Sequence, residues 1–214
     1  MQPSFLIEKQ FIQKNTVGID ESGRGSIAGP VVASCVFLDM QKNYDFYNKI
    51  NDSKKLTAKK RQKILIDLEK YCLFGIGVVD ILTIDRINIL QATKQAMYLA
   101  YLDFVLKYQW HPNIVLVDGN VKPFACQNES QQIITVKQGD TKSLSIAAAS
   151  IIAKELRNLI LIQYNKSFFQ YGFDSHFGYL TELHKQQLSL VGPCSIHRKS
   201  FYPINLYDNN NSAK

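Results

Sequence analysis

The sequence predicts an α/β fold: a mixed five-stranded sheet flanked by helices, with a small helical C-terminal region. Two patterns predict it. Short apolar runs over residues 17–20, 31–38, 72–79, 113–119 and 131–139 alternate with stretches whose apolar residues recur at helical spacing. The first two runs are separated only by the glycine-rich ESGRGSIAGP (21–30), which makes them a hairpin and the sheet a mixed one. Composition agrees. Of 214 residues 46% are apolar and 20% charged, with only 11 Gly and 6 Pro, which excludes disorder or low complexity as a description of the whole chain.

The elements follow in order. After the hairpin, a helix is predicted beyond Thr57, with Leu56, Ile64, Leu65 and Leu68 at helical spacing and five Lys/Arg facing elsewhere. The third strand leads to a long helix over 83–107, whose core stripe is Ile87, Leu90, Ala96, Met97 and Tyr101. The fifth strand leads to a helix beginning in DTKS (140–143). In that helix Leu144, Ala148, Ile151, Ile152, Glu155 and Leu159 repeat on one face, broken only by Glu155. The small residues from Ala147 to Ser150 let it lie close against the sheet. From about 160 the pattern is helical but irregular, with a Gly/Tyr/Phe-rich loop over 171–179. The expected organisation is an N-terminal extension (1–16), a core (17–160), a helical C-terminal region that binds substrate (161–207) and a flexible tail (208–214).

Lys and Arg number 25 against 18 Asp and Glu, a net charge of +7, which suits a polyanionic partner without requiring one. Cys35, Cys72, Cys126 and Cys194 are scattered, with no CxxC spacing, so reduced thiols in a cytoplasm are expected rather than a zinc site or a disulfide framework. The first residues, MQPSFLIEKQFIQKN, read as neither signal peptide nor membrane span.

Asp20 ends the first strand and Asp118 the fourth, while Asp140 opens the helix after the fifth. In open α/β sheets the crevice beyond the strand C-termini is where ligands bind. Three acids from distant parts of the chain can therefore meet there, with Glu21 directly after Asp20. Clustered carboxylates repel, and a hard divalent cation relieves the repulsion; all-oxygen ligands suit Mg²⁺ or Mn²⁺. Neighbours on a regular strand point to opposite faces, so Asp20 and Glu21 share a site only if the strand ends at Asp20, which is the expectation. Taken singly, each acid reads equally as a cap, a turn former or a solvated strand end.

Seven runs carry a resemblance: GIDESGRGSIAGPVV (18–32), NDSKKLT (51–57), INILQAT (87–93), VLVDGN (115–120), GDTKSLSIAAASIIAK (139–154), YGFDSHFGY (171–179) and GPCSIHRKSF (192–201). Together, and in this order, they resemble bacterial ribonuclease HII of the type 2 ribonuclease H family over nearly all of residues 17–204. The resemblance implies a ribonuclease H-like sheet in which Asp20, Glu21, Asp118 and Asp140 hold two divalent ions, Mn²⁺ or Mg²⁺. It implies endonucleolytic hydrolysis of RNA in RNA–DNA hybrids and cutting 5′ to ribonucleotides embedded in duplex DNA. The ends are 5′-phosphate and 3′-hydroxyl, and the cellular role is removal of misincorporated ribonucleotides and RNA primers by a cytoplasmic monomer. Two-metal chemistry supplies both the water nucleophile and stabilisation of the leaving 3′-oxygen.

Telling RNA from DNA at one nucleotide means sensing a 2′-hydroxyl. Gly23, Arg24 and Gly25 follow the first two acids, and glycine lets backbone approach a sugar closely; a plain hairpin turn would use glycine as well. Tyr179 matches the family tyrosine that meets the 2′-hydroxyl, although composition alone makes it filler of an aromatic loop. Ser53, Lys54 and Lys55 before the first helix, and Lys142, Ser143 and Ser145 at the start of the later one, fit sequence-independent phosphate contacts. The lysines also suit a solvated helix face. His197-Arg198-Lys199 is a further phosphate candidate, whereas His111, His176 and His184 read as structural.

The chain departs from the family pattern at Ser26, Phe177, Leu183 and Ser195, which bears on affinity rather than chemistry. Two other readings compete: a nuclease of the same superfamily acting on DNA, and a non-catalytic hybrid-binding module. The GRG turn and Tyr179 speak against the first, the intact acids against the second.

Overall fold

The computed structural model describes residues 2–11 and 15–210. Its sheet has five strands: β1 (Thr16–Ser22), β2 (Val31–Phe37), β3 (Leu73–Val79), β4 (Ile114–Asp118) and β5 (Gln132–Val136). They lie in the order β3-β2-β1-β4-β5. The β1/β2 and β2/β3 pairs are antiparallel, while β1/β4 and β4/β5 are parallel. The mixed five-stranded sheet expected from the hairpin is thus the observed one.

Alternation along the strands divides the core in two. Val17, Ile19, Ala33, Cys35, Val115 and Val117 pack on one face against Ala92, Ala96, Ala100 and Phe104. These last belong to the helix α2 (Ile81–Tyr108). Val36 and Leu38 pack on the other face against α1 (Ala58–Tyr71) and α3 (Leu144–Ser167). Strands covered on both faces read as continuous apolar runs, which is why the sequence announces them. Gly18 lets α3 come close to β1: a Cβ there would stand 2.3 Å from the carbonyl carbon of Ser145.

Local signals hold at the helix starts. Thr57 caps α1 by accepting from Lys60 N–H, and Ser143 caps α3 by accepting from Ile146 N–H. The helix predicted over 83–107 is two helices joined at a kink, because Asn88 is non-helical at φ 66° and its side chain accepts from the N–H groups of Leu90 and Gln91. Beyond α3 come α4 (Phe173–His176), α5 (Glu182–Val191) and α6 (Asn205–Asn210). The boundary expected at 160 falls inside α3. The tail expected over 208–214 begins within α6, and its residues 211–214 lie outside the described ones. Glu155, the one break in the apolar face of α3, forms a buried ion pair with Arg61 of α1. None of the described helices is long and apolar enough to cross a membrane.

Candidate active site

At its C-terminal end β1 loses one neighbour. Parallel pairing with β4 stops at Ile19↔Val117, while antiparallel pairing with β2 continues to Ser22↔Val32. The expectation that the strand ends at Asp20 is therefore corrected: β2 carries it two residues further. Glu21 still lines the same cleft as Asp20, on the stretch of β1 that β4 no longer pairs. The cleft, about 200 Å³, is lined by Asp20, Glu21, Ser22, Gly23, Arg24, Gly25, Ser53, Lys54, Asp118, Ser150, Lys154 and Tyr179.

Electrostatics tie the acids together. Burial raises the Asp20 carboxyl well above its ordinary value, and the charges of Glu21 and Asp118 push it the same way; bonds from the Ser150 hydroxyl and the Glu21 N–H oppose them. The Glu21 N–H lies 2.7 Å from Asp20 Oδ1. Glu21 is raised by burial and by Asp118, against the pull of Arg24, whose guanidinium lies 3.4 Å from its Oε1. Asp118 is raised by burial and by the Asp140 charge, and held down by the Gly139 N–H, which donates to its Oδ1 at 2.6 Å. Asp140 sits in the 3-10 turn Gly139–Thr141 rather than in α3 itself. It does not line the cleft but accepts from Lys54 Nζ at 3.5 Å. Burial pulls the Lys54 ammonium down, yet Asp140, Asp20 and Asp52 together hold it above its ordinary value.

This donor set fits divalent cations. All four acids offer oxygen, as hard ions require, and at least three of them are destabilised as anions by burial and one another, which a dication would relieve. As they stand, no three His, Cys, Asp or Glu side chains among the described residues already enclose an ion site, so the fit is one of charge and donor type.

The two glycines of the GRG turn differ. Gly23 has φ +102°, and a Cβ there would lie 2.2 Å from Arg157 Nε, so the protein itself demands glycine. At Gly25 a Cβ would meet nothing within 4 Å. No protein contact excludes a side chain at that position, and the bare backbone faces the cleft. Tyr179 borders the same space, 43% exposed, with the Arg157 guanidinium 5.7 Å from its ring centroid. Its loop is tied to the turn by Ile27 N–H donating to the Gly178 carbonyl at 2.9 Å.

The predicted phosphate contacts are placed unequally, and those at Ser143, Ser145, His197 and Arg198 are corrected by burial. Ser143 and Ser145 are buried at the start of α3, and both hydroxyls donate to Glu8 Oε1. Lys142 is exposed but gives its ammonium to the Lys137 carbonyl at 2.8 Å. Ser53 lines the cleft yet is buried, its hydroxyl 3.0 Å from that of Ser150, and Lys55 is exposed outside the cleft. His197 and Arg198 are buried as well. Arg198 donates to the carbonyls of Gly23, Ser26 and Gly29. Arg157 joins it on the carbonyls of Ala28 and Pro30. The turn is thus wrapped around two guanidinium groups, which suits a backbone whose carbonyls need donors. His176, His184 and His197 form a buried cluster, consistent with a structural role for the first two.

The sequence reading gives Ser150, Lys154 and Arg157 no role at the site, because it followed the apolar stripe of α3 and took Ser150 only as a small residue facing the sheet. Their spacing of four and three residues places them on one helix face, and that polar stripe was the available signal. Burial, with the charges of Arg61 and Lys54, lowers the Lys154 ammonium below its ordinary range.

Comparison with known proteins gives the family and the fold. The family model described as Ribonuclease HII matches residues 17–204. The ribonuclease HII of Chlamydia caviae is 46% identical over 190 residues, covering 87% of this chain and 84% of that protein. That of Chlamydia pneumoniae is 43% identical over 205 residues, covering 92% and 89%. Among solved structures, ribonuclease H2 from Pyrococcus horikoshii superposes with a TM-score of 0.73 at 22% identity, covering 94% of this chain and all of that one. Bst-RNase HIII, solved in complex with Mn²⁺, gives 0.74 at 16% identity, covering all of this chain and 75% of that one. At these identities the two structures speak for the fold alone. The family match and the curated relatives go further: the chain belongs to the ribonuclease HII family of metal-dependent ribonucleases.

Proposed function

We propose that this enzyme hydrolyses the RNA strand of RNA–DNA hybrids and cuts 5′ to ribonucleotides embedded in duplex DNA, leaving 5′-phosphate and 3′-hydroxyl ends. The observation that carries this reading is the cleft itself. Three mutually repelling carboxylates share one wall with a glycine whose missing side chain answers to no protein contact.

In this reading Asp20, Glu21, Asp118 and Asp140 hold two divalent ions, Mn²⁺ or Mg²⁺. Those ions, when bound, supply an activated water and stabilise charge on the leaving oxygen. The chain's own residues do the rest. The Gly139 N–H orients the Asp118 carboxylate through Oδ1, with the Gly119 N–H also holding it. Ser150 and the Glu21 N–H orient Asp20. Lys54 and Lys154, on the cleft wall, receive backbone phosphates without reading bases. Gly23, Arg24 and Gly25 present backbone to the ribose, and Tyr179 closes over it from the facing loop. Gly25 supplies open space, while Gly23 lets the turn fold against Arg157. The cellular role that follows is removal of misincorporated ribonucleotides and RNA primers in the cytoplasm, by a monomer.

The test is a cleavage assay on labelled all-DNA, hybrid and single-ribonucleotide duplexes, each with Mg²⁺, Mn²⁺ or chelator. Metal-dependent cutting of the second and third with the all-DNA duplex intact is the expected result. Cleavage of all-DNA duplex at a comparable rate would overturn it. Asp20→Asn separates an enzyme from a binding module: binding persists and cleavage vanishes.

A further inference from the structure

The segment before β1 is built against the start of α3 and the apolar residues of β4. Glu8 lies in the 3-10 helix Glu8–Phe11 and is only 2% exposed. Its Oε1 accepts from the Ser143 hydroxyl at 2.6 Å, the Ser145 hydroxyl at 2.8 Å and the Ser145 N–H at 3.0 Å. Four residues earlier the backbone of Ser4 brackets the same stretch, its N–H donating to the Lys142 carbonyl and its carbonyl accepting from Leu144 N–H, both at 3.2 Å. Residues 142–145 are thus clamped from both sides at the N-terminus of α3, where a carboxylate also meets the favourable end of the helix dipole.

The clamp continues toward the acids. Ser143 N–H donates to the Gly139 carbonyl at 2.8 Å, and Lys142 N–H to the same carbonyl at 2.9 Å. Gly139 N–H in turn donates to Asp118 Oδ1 at 2.6 Å, and Asp140 is the next residue. One chain of hydrogen bonds therefore runs from Glu8 through Ser143 and Gly139 to a carboxylate of the cleft. We propose that Glu8 is a positioning residue for Asp118 and Asp140, holding the turn between them in the geometry that receives a divalent ion. This rests on the reading of those two acids as ion ligands.

Glu8 does not carry the docking of its segment alone. Ile7 and Phe11 pack against Ile114 and Leu116 of β4 and Ile146 of α3, an apolar anchor that survives truncation at position 8. Loss of the carboxylate frees the turn rather than the segment. The buried Oε2 has no protein partner, so Oε1 bears the whole arrangement.

The experiment is calorimetric titration of Mn²⁺ into the full-length chain without substrate, with amide exchange at residues 139–141 as a second readout. Glu8→Ala is expected to weaken Mn²⁺ binding roughly 10-fold, as loss of an outer-shell partner does, and to speed exchange at the turn. Glu8→Gln keeps the acceptor but not its charge, so it restores binding to within about threefold of wild type. Wild-type Mn²⁺ affinity in Glu8→Ala overturns the proposal. Should that variant not fold, Glu8→Asp, one methylene shorter and so drawn back from both serine hydroxyls, decides by the same titration, with unchanged affinity overturning the proposal. Asp118→Asn in parallel separates the two readings. Wild-type binding there refutes the ion site itself, whereas lost binding there with unchanged binding in Glu8→Ala refutes only the role of Glu8.

Discussion

The Arg198 guanidinium donates to the Gly23 carbonyl at 2.7 Å, across 175 residues of chain. A residue that looks like a phosphate contact in HRK is instead an internal strut of the turn beside the acids. Burial pushes Arg198 down to about 9 and Arg157 down to about 10, the Arg157 charge adding to the first shift. Both stay protonated at neutral pH and their carbonyl partners stay satisfied.

Removing that strut strands several buried carbonyls. Arg198→Ala is expected to cost about 3 kcal/mol or more of stability, because each unpaired buried acceptor carries its own desolvation penalty. Urea unfolding measures it, and a loss below about 0.5 kcal/mol, the range of an ordinary surface substitution, contradicts the buried role.

The acids make the metal-free enzyme pH-sensitive with a definite sign. Asp20, Glu21 and Asp118 are raised in the folded state, so the native protein holds their protons longer than the unfolded chain does. Stability is full below the ordinary carboxylate values, near 3.8 for Asp20, and declines as pH rises through the raised ones. At pH 7 in chelator, Asp20→Asn should therefore melt higher than wild type, by about 2–4 °C for each kcal/mol of relieved repulsion. Adding Mn²⁺ should raise wild type more than the variant, by mass action. Thermal scans with chelator and with Mn²⁺ check both statements. A lower melting point for the variant in chelator would count against the repulsive cluster.

Tyr179 is half-exposed and its ring lies over Arg157, so truncation leaves the core intact. Tyr179→Ala is expected to keep the wild-type melting point and to lose about 10-fold or more in kcat/KM on a single-ribonucleotide duplex, roughly 1.4 kcal/mol of transition-state stabilisation. Equal cutting by variant and wild type removes Tyr179 from the ribose reader.

The histidine cluster acts at the acid end. His184 stacks on His176 with centroids 4.3 Å apart, and its Nε2 meets that of His197 at 3.0 Å, so one ring must be neutral there to accept. Burial lowers His184 and His197 to about 4, each also pushed down by a neighbouring imidazole. These folded values lie below the ordinary 6.5, so their contribution to stability is complete above 6.5 and is lost as pH falls toward 4. Denaturant unfolding of wild type and His184→Asn between pH 7 and 4.5 should give a shallower slope for the variant. Parallel slopes would remove His184 as a source.

Duplex affinity should fall steeply with salt, by about 0.9 in log–log slope for each phosphate neutralised. Lys54, Lys154 and Arg24 border the cleft, which predicts a slope of magnitude near 3 or larger, measured by anisotropy with Asp20→Asn. A flat profile between low and moderate salt contradicts the basic wall.

What the sequence determined by itself was local or periodic. Alternation and apolar runs gave away the strands, since a strand buried on both faces needs apolar residues throughout. Thr57 and Ser143 marked helix starts because a cap acts within three residues of itself. Asp118 was legible as the acid that ends an apolar strand, whereas Asp20 lies two residues short of the end of β1. Tertiary structure decided the rest, through groups far apart in the chain. β2 set where β1 ends, by pairing on to Ser22↔Val32 after β4 had stopped. Glu8 claimed Ser143 and Ser145, and the 23–30 turn claimed Arg157 and Arg198. A serine or arginine has the same local preferences whether it meets solvent, substrate or a buried carbonyl. Which of these it meets is settled by packing, when desolvation makes every buried donor and acceptor find a partner.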